Sequence, residues 1–188
     1  KHLKRMSAYS SIEHMGLGAI GLGSDGIGYF AAIFHLILHS FVKASVFYQI
    51  DQFHRHYRTY IISETGNYFN RNLPGAIVML LVFIGITAMP PSGLFITEFW
   101  IFKAMFSSSH YVIFIFALLF LSVAIYSLAN NFLHILFNQS KDLGPVKEKQ
   151  NISETYSQYF LLALVFYLGL NPPAVMINII QEAVSNLP

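Results

Sequence analysis

The chain has 188 residues, of which 55% are hydrophobic and 11% charged, with a mean hydropathy of +0.53 and a formal net charge of +2. Soluble domains carry roughly a quarter charged residues, so this composition excludes an ordinary water-facing surface, and so small a charge gives no basis for a nucleic-acid partner. With no cysteine, the chain itself can hold no disulfide, iron–sulfur cluster or thiolate zinc site.

The apolar residues are bunched. No charged residue occurs from Pro74 to Thr97, from Tyr111 to Phe137 or from Thr155 to Gln181, and a hydrocarbon core needs about 20 apolar residues to cross. The pattern predicts an all-α integral membrane domain over 1–188, with about five transmembrane helices, one of them discontinuous. The first is expected near 6–23, rich in Gly16, Gly18 and Gly21, small residues that let helices approach closely in lipid. After the Ser24-Asp25-Gly26 turn, the second is expected near 28–50. A polar stretch from Asp51 to Asn72 follows, with a short interfacial helix expected around Phe53 to Ile62. The third covers 74–106 and is broken at 89–93 by Pro90-Pro91-Ser92-Gly93. The fourth covers 110–137. A polar loop with Gly144-Pro145 leads to the fifth, near 155–178, marked by Asn171-Pro172-Pro173. Lys1 rather than Met begins the chain and no signal peptide precedes the first apolar run, so a C-terminal piece of a longer protein is expected.

Basic residues test this map. Of the eleven Lys and Arg, all but Lys43 and Lys103 fall on one side of five crossings: Lys1, Lys4, Arg5, Arg55, Arg58, Arg71, Lys141, Lys147 and Lys149. The positive-inside rule makes that side cytoplasmic and puts the C-terminus on the opposite one. His54-Arg55-His56-Tyr57-Arg58 reads as a juxtamembrane basic segment facing lipid head groups.

The charges left within spans are the first candidates for function, since each costs at least about 2.5–3.5 kcal/mol to insert. His35, His39 and Lys43 stand at i, i+4 and i+8 on the second span and share one face. Histidine titrates near pH 6.5, so such a column suits proton relay; it equally suits hydrogen bonding between helices. Two His at i, i+4 is also a zinc spacing, but Lys43 one turn on and the lack of an acid nearby in sequence argue against it, and no metal ligand set is expected. On the third span Pro90 and Pro91 remove backbone donors. Broken backbone at membrane depth lines a wet cavity or lies buried in protein, and in transporters such breaks mark ion sites. Glu98 follows the break by five residues; its alternative is a position near the interface beside a packing kink. Lys103 lies nearer the surface and can snorkel outward. Glu13 and His14 are placed near the cytoplasmic end of the first span, as further possible participants.

Three motifs carry a resemblance. Lys4-Arg5-x-x-Ala8-Tyr9-Ser10-Ser11-x-x-His14-x-Gly16, Phe34-His35-Leu36-x-x-His39-x-x-x-Lys43-Ala44 and Pro90-Pro91-Ser92-Gly93-Leu94-Phe95-Ile96-Thr97-Glu98-Phe99 resemble segments of the antiporter-like proton-translocating subunits. These occur in respiratory complex I, Mrp cation/proton antiporters and membrane-bound hydrogenases. The third motif and Ile12-Glu13-His14 are most similar to the F-type subunits of hydrogenase-4 and formate hydrogenlyase. The resemblance spans residues 1 to 106 and weakens toward Pro173. It implies about fourteen helices with two inverted five-helix repeats, of which this chain would be the second. It implies Lys43, His35 and His39 on a central hydrophilic axis, with Glu98 as the ionisable group of the broken helix. It implies proton translocation within a redox-driven complex, beside other membrane subunits and peripheral redox subunits, with no cofactor in this chain and no catalytic residue. A subunit of an Mrp-type antiporter without electron transfer is the alternative. The acid and lysine of the first repeat are not in these residues, so no complete proton path is expected from them alone.

Overall fold

The structure, a computed structural model, describes residues 1–24, 26–138 and 152–186. Asp25, the Gly144-Pro145 loop and the basic residues Lys141, Lys147 and Lys149 lie outside them. Among the described residues the fold is all helical: α1 (Leu3–Leu22), α2 (Ile27–Tyr57), a 3-10 turn (Ile62–Glu64), α3 (Tyr68–Arg71), α4 (Leu73–Ile86), α5 (Gly93–Ser107), α6 (Tyr111–Phe137), α7 (Ile152–Leu170) and α8 (Ala174–Ser185).

The central element is α2. It packs against α1, α4, α5 and α7, and Phe34, Leu38, Val42 and Phe53 are fully buried along it. From Ile27 to Ile50 its one charged residue is Lys43, so most of its surface is apolar and it settles in the middle. Gly26 precedes it at φ 53, a left-handed backbone that glycine adopts without a Cβ clash. At 31 residues α2 runs about 46 Å, well beyond the roughly 30 Å of hydrocarbon. The separate helix expected from Phe53 is therefore corrected, while a crossing near 28–50 fits within the length of α2. Asp51 to Tyr57 continue α2, and the Arg55–Asp51 ion pair at 3.2 Å supports the extension.

The two ends of the bundle differ. At one, Leu3 N donates to Tyr60 O and Ile62 N to Lys1 O, which gathers the basic start of α1 beside the basic end of α2. Lys4 Nζ lies 4.1 Å from the Tyr60 ring centre, and His54 stacks on the same ring at 3.9 Å. At the other end Ser108 Oγ donates to Ser24 O at 2.8 Å, with Lys103 on the closing turns of α5.

The third expected segment forms two short helices. The Asn72 side chain accepts from Gly75 N at the start of α4, and the Ser92 side chain accepts from Leu94 N at the start of α5, each a helix N-cap. Gly93 lies against Gly169 of α7 so closely that a Cβ on either would overlap the other's backbone. α6 is largely uncovered over its first half; Val112, Ile115, Phe120 and Tyr126 are all exposed along it. α7 and α8 meet at 72° across Asn171-Pro172-Pro173, and Ile180 is buried on α8.

By length and composition α2 and α6 can each cross a membrane, and the bent α7–α8 pair makes a third candidate. α1 carries too many polar and charged residues to qualify, and the break leaves α4 and α5 with only 14 and 15 residues.

Candidate functional site

Inside this apolar bundle runs a line of buried polar side chains from α1, α2 and α5: Ser7, Ser10, His14, His35, His39, Lys43, Thr97 and Glu98. His35, His39 and Lys43 share a face of α2. They do not form a continuous line by themselves, because α1 interleaves with them. Ser7, Ser10 and His14 stand at i, i+3 and i+7, one helix face, turned onto α2.

Lys43 directs its ammonium at α1. Nζ donates to Ser7 O at 2.6 Å and to Ser10 Oγ at 2.6 Å, with Ser7 Oγ at 3.4 Å. A buried charge is tolerated only where hydrogen bonds replace its hydration, and two short bonds at membrane depth do so here.

One turn further along α1, His14 sits between the two α2 histidines, its ring 4.7 Å from that of His39 and 5.2 Å from that of His35. Its Nδ1 lies 3.1 Å from His35 Nε2, and its Nε2 lies 2.9 Å from Ile86 O. The break between α4 and α5 supplies that acceptor, since carbonyls in the last turn of a helix lack intrahelical donors. A carbonyl only accepts, so Nε2 of His14 carries the proton and in the neutral ring Nδ1 presents a lone pair.

The tautomer of His35 depends on Thr97. Thr97 Oγ1 lies 2.8 Å from His35 Nδ1 and 3.0 Å from Leu94 O. When the hydroxyl donates to Leu94 O it accepts Nδ1–H, and Nε2 of His35 faces His14 with a lone pair. When the hydroxyl turns to donate to Nδ1, Nε2 carries the proton and donates to His14. One hydroxyl rotation thus moves a proton position across the imidazole.

Glu98, on the same α5 as Thr97, is 4% exposed, and its Oε1 lies 3.6 Å from His14 Nδ1. That is too long for a hydrogen bond, and Oε1 has no hydrogen-bond partner in the structure. His14, His35 and Glu98 offer one ligand atom each within 4.8 Å of one another. The acid missing near the histidines in sequence is thus supplied in space, which removes one objection to a metal.

The remaining candidates separate. His14 is 1% exposed and central, not peripheral as expected near the end of the first span. Glu13 is half-buried and lines an open groove of about 940 Å³ between α1 and α6, shared with Ser10. Lys103 is exposed on α5 and takes no part in the line. Ser7, Ser10 and Thr97 were not singled out from the sequence. The i, i+3, i+7 spacing of Ser7, Ser10 and His14 is the signal that finds the first two; Thr97 is found only by contact.

A second polar cluster closes the C-terminal half of α2. Gln49 Nε2 donates to Tyr68 Oη and to Gly75 O, both at 3.0 Å, and Asn72 Nδ2 donates to Tyr68 Oη at 2.8 Å. Burial pushes the Tyr68 hydroxyl well above its ordinary range, against the hydrogen bonds from Asn72 and Gln49, so it stays neutral and fixes these amides.

Comparison with known proteins gives the same direction. The family model described as NADH:quinone oxidoreductase/Mrp antiporter, transmembrane, matches residues 1–125. NADH-quinone oxidoreductase subunit M of Buchnera aphidicola is 32% identical over 187 residues, covering 97% of this chain and 36% of that protein. A hydrogenase-4 component F homolog of Methylacidiphilum infernorum is 30% identical over 110 residues, covering 58% of this chain and 23% of that protein. A chain of the Mrp complex from Dietzia sp. superposes with a TM-score of 0.79 over 98% of this chain and 46% of its own length, at 15% identity, which establishes a shared fold. The chain thus spans well under half the length of the relatives it matches. With the match running unbroken through all three motif-bearing helices, the chain belongs to the NADH:quinone oxidoreductase/Mrp antiporter membrane family.

Proposed function

We propose that this chain is the second half of a proton-translocating membrane subunit in a redox-driven complex of the NADH:quinone oxidoreductase or membrane-bound hydrogenase type. The observation that carries the reading is the buried line from Lys43 through His39, His14 and His35 to Thr97 and Glu98. Desolvated titratable groups in lipid are costly and mark ion pathways, and here three helices converge to hold them together. Protons pass between Lys43 and Glu98 by way of the imidazoles, with water completing the gaps that no direct hydrogen bond spans. Electrons flow through partner subunits, both membrane and peripheral, and this chain needs no cofactor of its own.

In the bilayer the proposed crossings are α1, α2, the broken α4–α5 pair, α6 and α7, with α8 turned along the interface. The clustering of Lys1, Lys4, Arg5, Arg55 and Arg58 at one end supports a cytoplasmic N-terminal side and a periplasmic C-terminus in a bacterial inner membrane. Such a half chain supplies one segment of the path, and the rest lies in the partner repeat.

Proton pumping by the assembled complex in proteoliposomes tests this. Lys43→Ala and Glu98→Gln should assemble and lose most pumping. Wild-type pumping in both variants would refute the mechanism. Proton movement that needs a counter-cation gradient and no electron donor would favour the Mrp-type alternative.

A further inference from the structure

His14 Nδ1, His35 Nε2 and Glu98 Oε1 converge from three helices, with the outer nitrogen of each histidine already engaged. Tetrahedral zinc binds imidazole and carboxylate at about 2.0–2.2 Å, which sets ligand atoms roughly 3.3–3.5 Å apart. The 3.1 Å between the two nitrogens and the 3.6 Å from His14 Nδ1 to Glu98 Oε1 bracket that spacing. Zinc-bound histidines donate their second N–H to a carbonyl, carboxylate or water, and Ile86 O receives His14 Nε2–H while Thr97 Oγ1 can receive His35 Nδ1–H. That arrangement leaves two imidazole lone pairs facing each other beside an unpartnered buried carboxylate oxygen, a set of three acceptors with nothing positive between them. Lys43, the nearby cation, is held by Ser7 and Ser10 one turn away along α1, so its charge is directed elsewhere.

We propose that His14, His35 and Glu98 form a binding site for a divalent transition metal, with Zn²⁺ the best fit. Two imidazoles and one carboxylate make a His2Glu set of the kind that holds zinc, and a three-ligand set leaves a fourth position for water or for His39, whose Nε2 is buried without a hydrogen-bond partner. Metal binding does not depend on the transport reading. Inhibition by the metal does, because a bound ion takes the lone pairs a proton would use.

The intact subunit in lipid nanodiscs, stripped with chelator and titrated with Zn²⁺ alone, tests binding. One tightly held zinc per subunit is expected, and zinc-edge X-ray absorption should show only nitrogen and oxygen at about 2.0–2.2 Å, with the outer-shell signature of two imidazoles. Glu98→Gln and His14→Ala should weaken binding at least tenfold. Thr97→Val, which leaves every ligand in place, should weaken it about 10–100-fold. A His54→Ala/His56→Ala control at the far end of α2 should bind as the wild type does. No stoichiometric zinc in the wild type overturns the site, as does zinc retained in Glu98→Gln or lost with the control. Should His14→Ala fail to accumulate, the wild-type spectrum and the Thr97→Val titration decide. Pumping that persists with the site filled refutes the transport path while leaving the metal site standing.

Discussion

Lys43 on α2 places its ammonium 2.6 Å from the Ser10 hydroxyl on α1, and through that contact the most expensive charge in the bundle becomes a joint between two helices. Both residues are buried. Ser7 O also accepts from both side chains, so the cluster couples the position of α1 to the charge carried by α2.

Ser10→Ala therefore removes one of two short bonds to a buried ammonium. Loss of a partner to a buried charged group costs about 1–3 kcal/mol or more, and thermal denaturation in detergent should register it. Ser11→Ala, one position along and less buried, should leave the midpoint close to wild type.

His14 should matter to pumping as much as His35 does. Each contacts the other at 3.1 Å, and removing either cuts the line between Lys43 and Glu98. His14→Ala and His35→Ala are expected to lower pumping by a similar, large factor in proteoliposomes, whereas Lys103→Ala, on the exposed face of α5, should leave it near wild type.

The contact between Gly93 and Gly169 should tolerate no side chain. Gly169→Ala forces α5 away from α7 or distorts both, and overpacking of this kind costs roughly 1–3 kcal/mol. Because Thr97 and Glu98 ride on α5, pumping should fall along with stability in this variant. A variant that packs and pumps normally would show that the two helices do not meet as closely as described.

Tyr68→Phe should destabilise the end of the bundle where α2 meets the start of α4. It strips an acceptor from both Gln49 and Asn72, leaving buried amide donors at a cost of about 1–3 kcal/mol. Hydrogen exchange at the start of α4 should rise, since Asn72 also caps that helix through Gly75 N. Pumping per assembled complex should change little, because these groups lie apart from the histidines.

The all-helical class, the break after the third apolar run and the three ionisable residues on α2 were legible in the residues themselves. Those features arise from local periodicity, from proline's missing donor and from the scarcity of charge in lipid-sized runs. The extent of α2 was not. Polar residues from Asp51 onward look like a loop to a hydropathy reading, yet a helix that has left the hydrocarbon can continue in water with charged side chains. The family motifs named His14 without weighting it, because a histidine in a weakly apolar helix reads as peripheral until its neighbours are known.

Sequence alone determined which groups are too costly to leave in lipid without a purpose: Lys43, Glu98 and the two α2 histidines. Only the tertiary structure decided which of them meet. α1 slides His14 between His35 and His39, the broken third segment frees Ile86 O to hold it, and α5 delivers Thr97 and Glu98 to the same point. Hydrogen bonds act over about 3 Å, and residues 62 and 72 positions apart reach that separation only through helix packing, which no local pattern encodes.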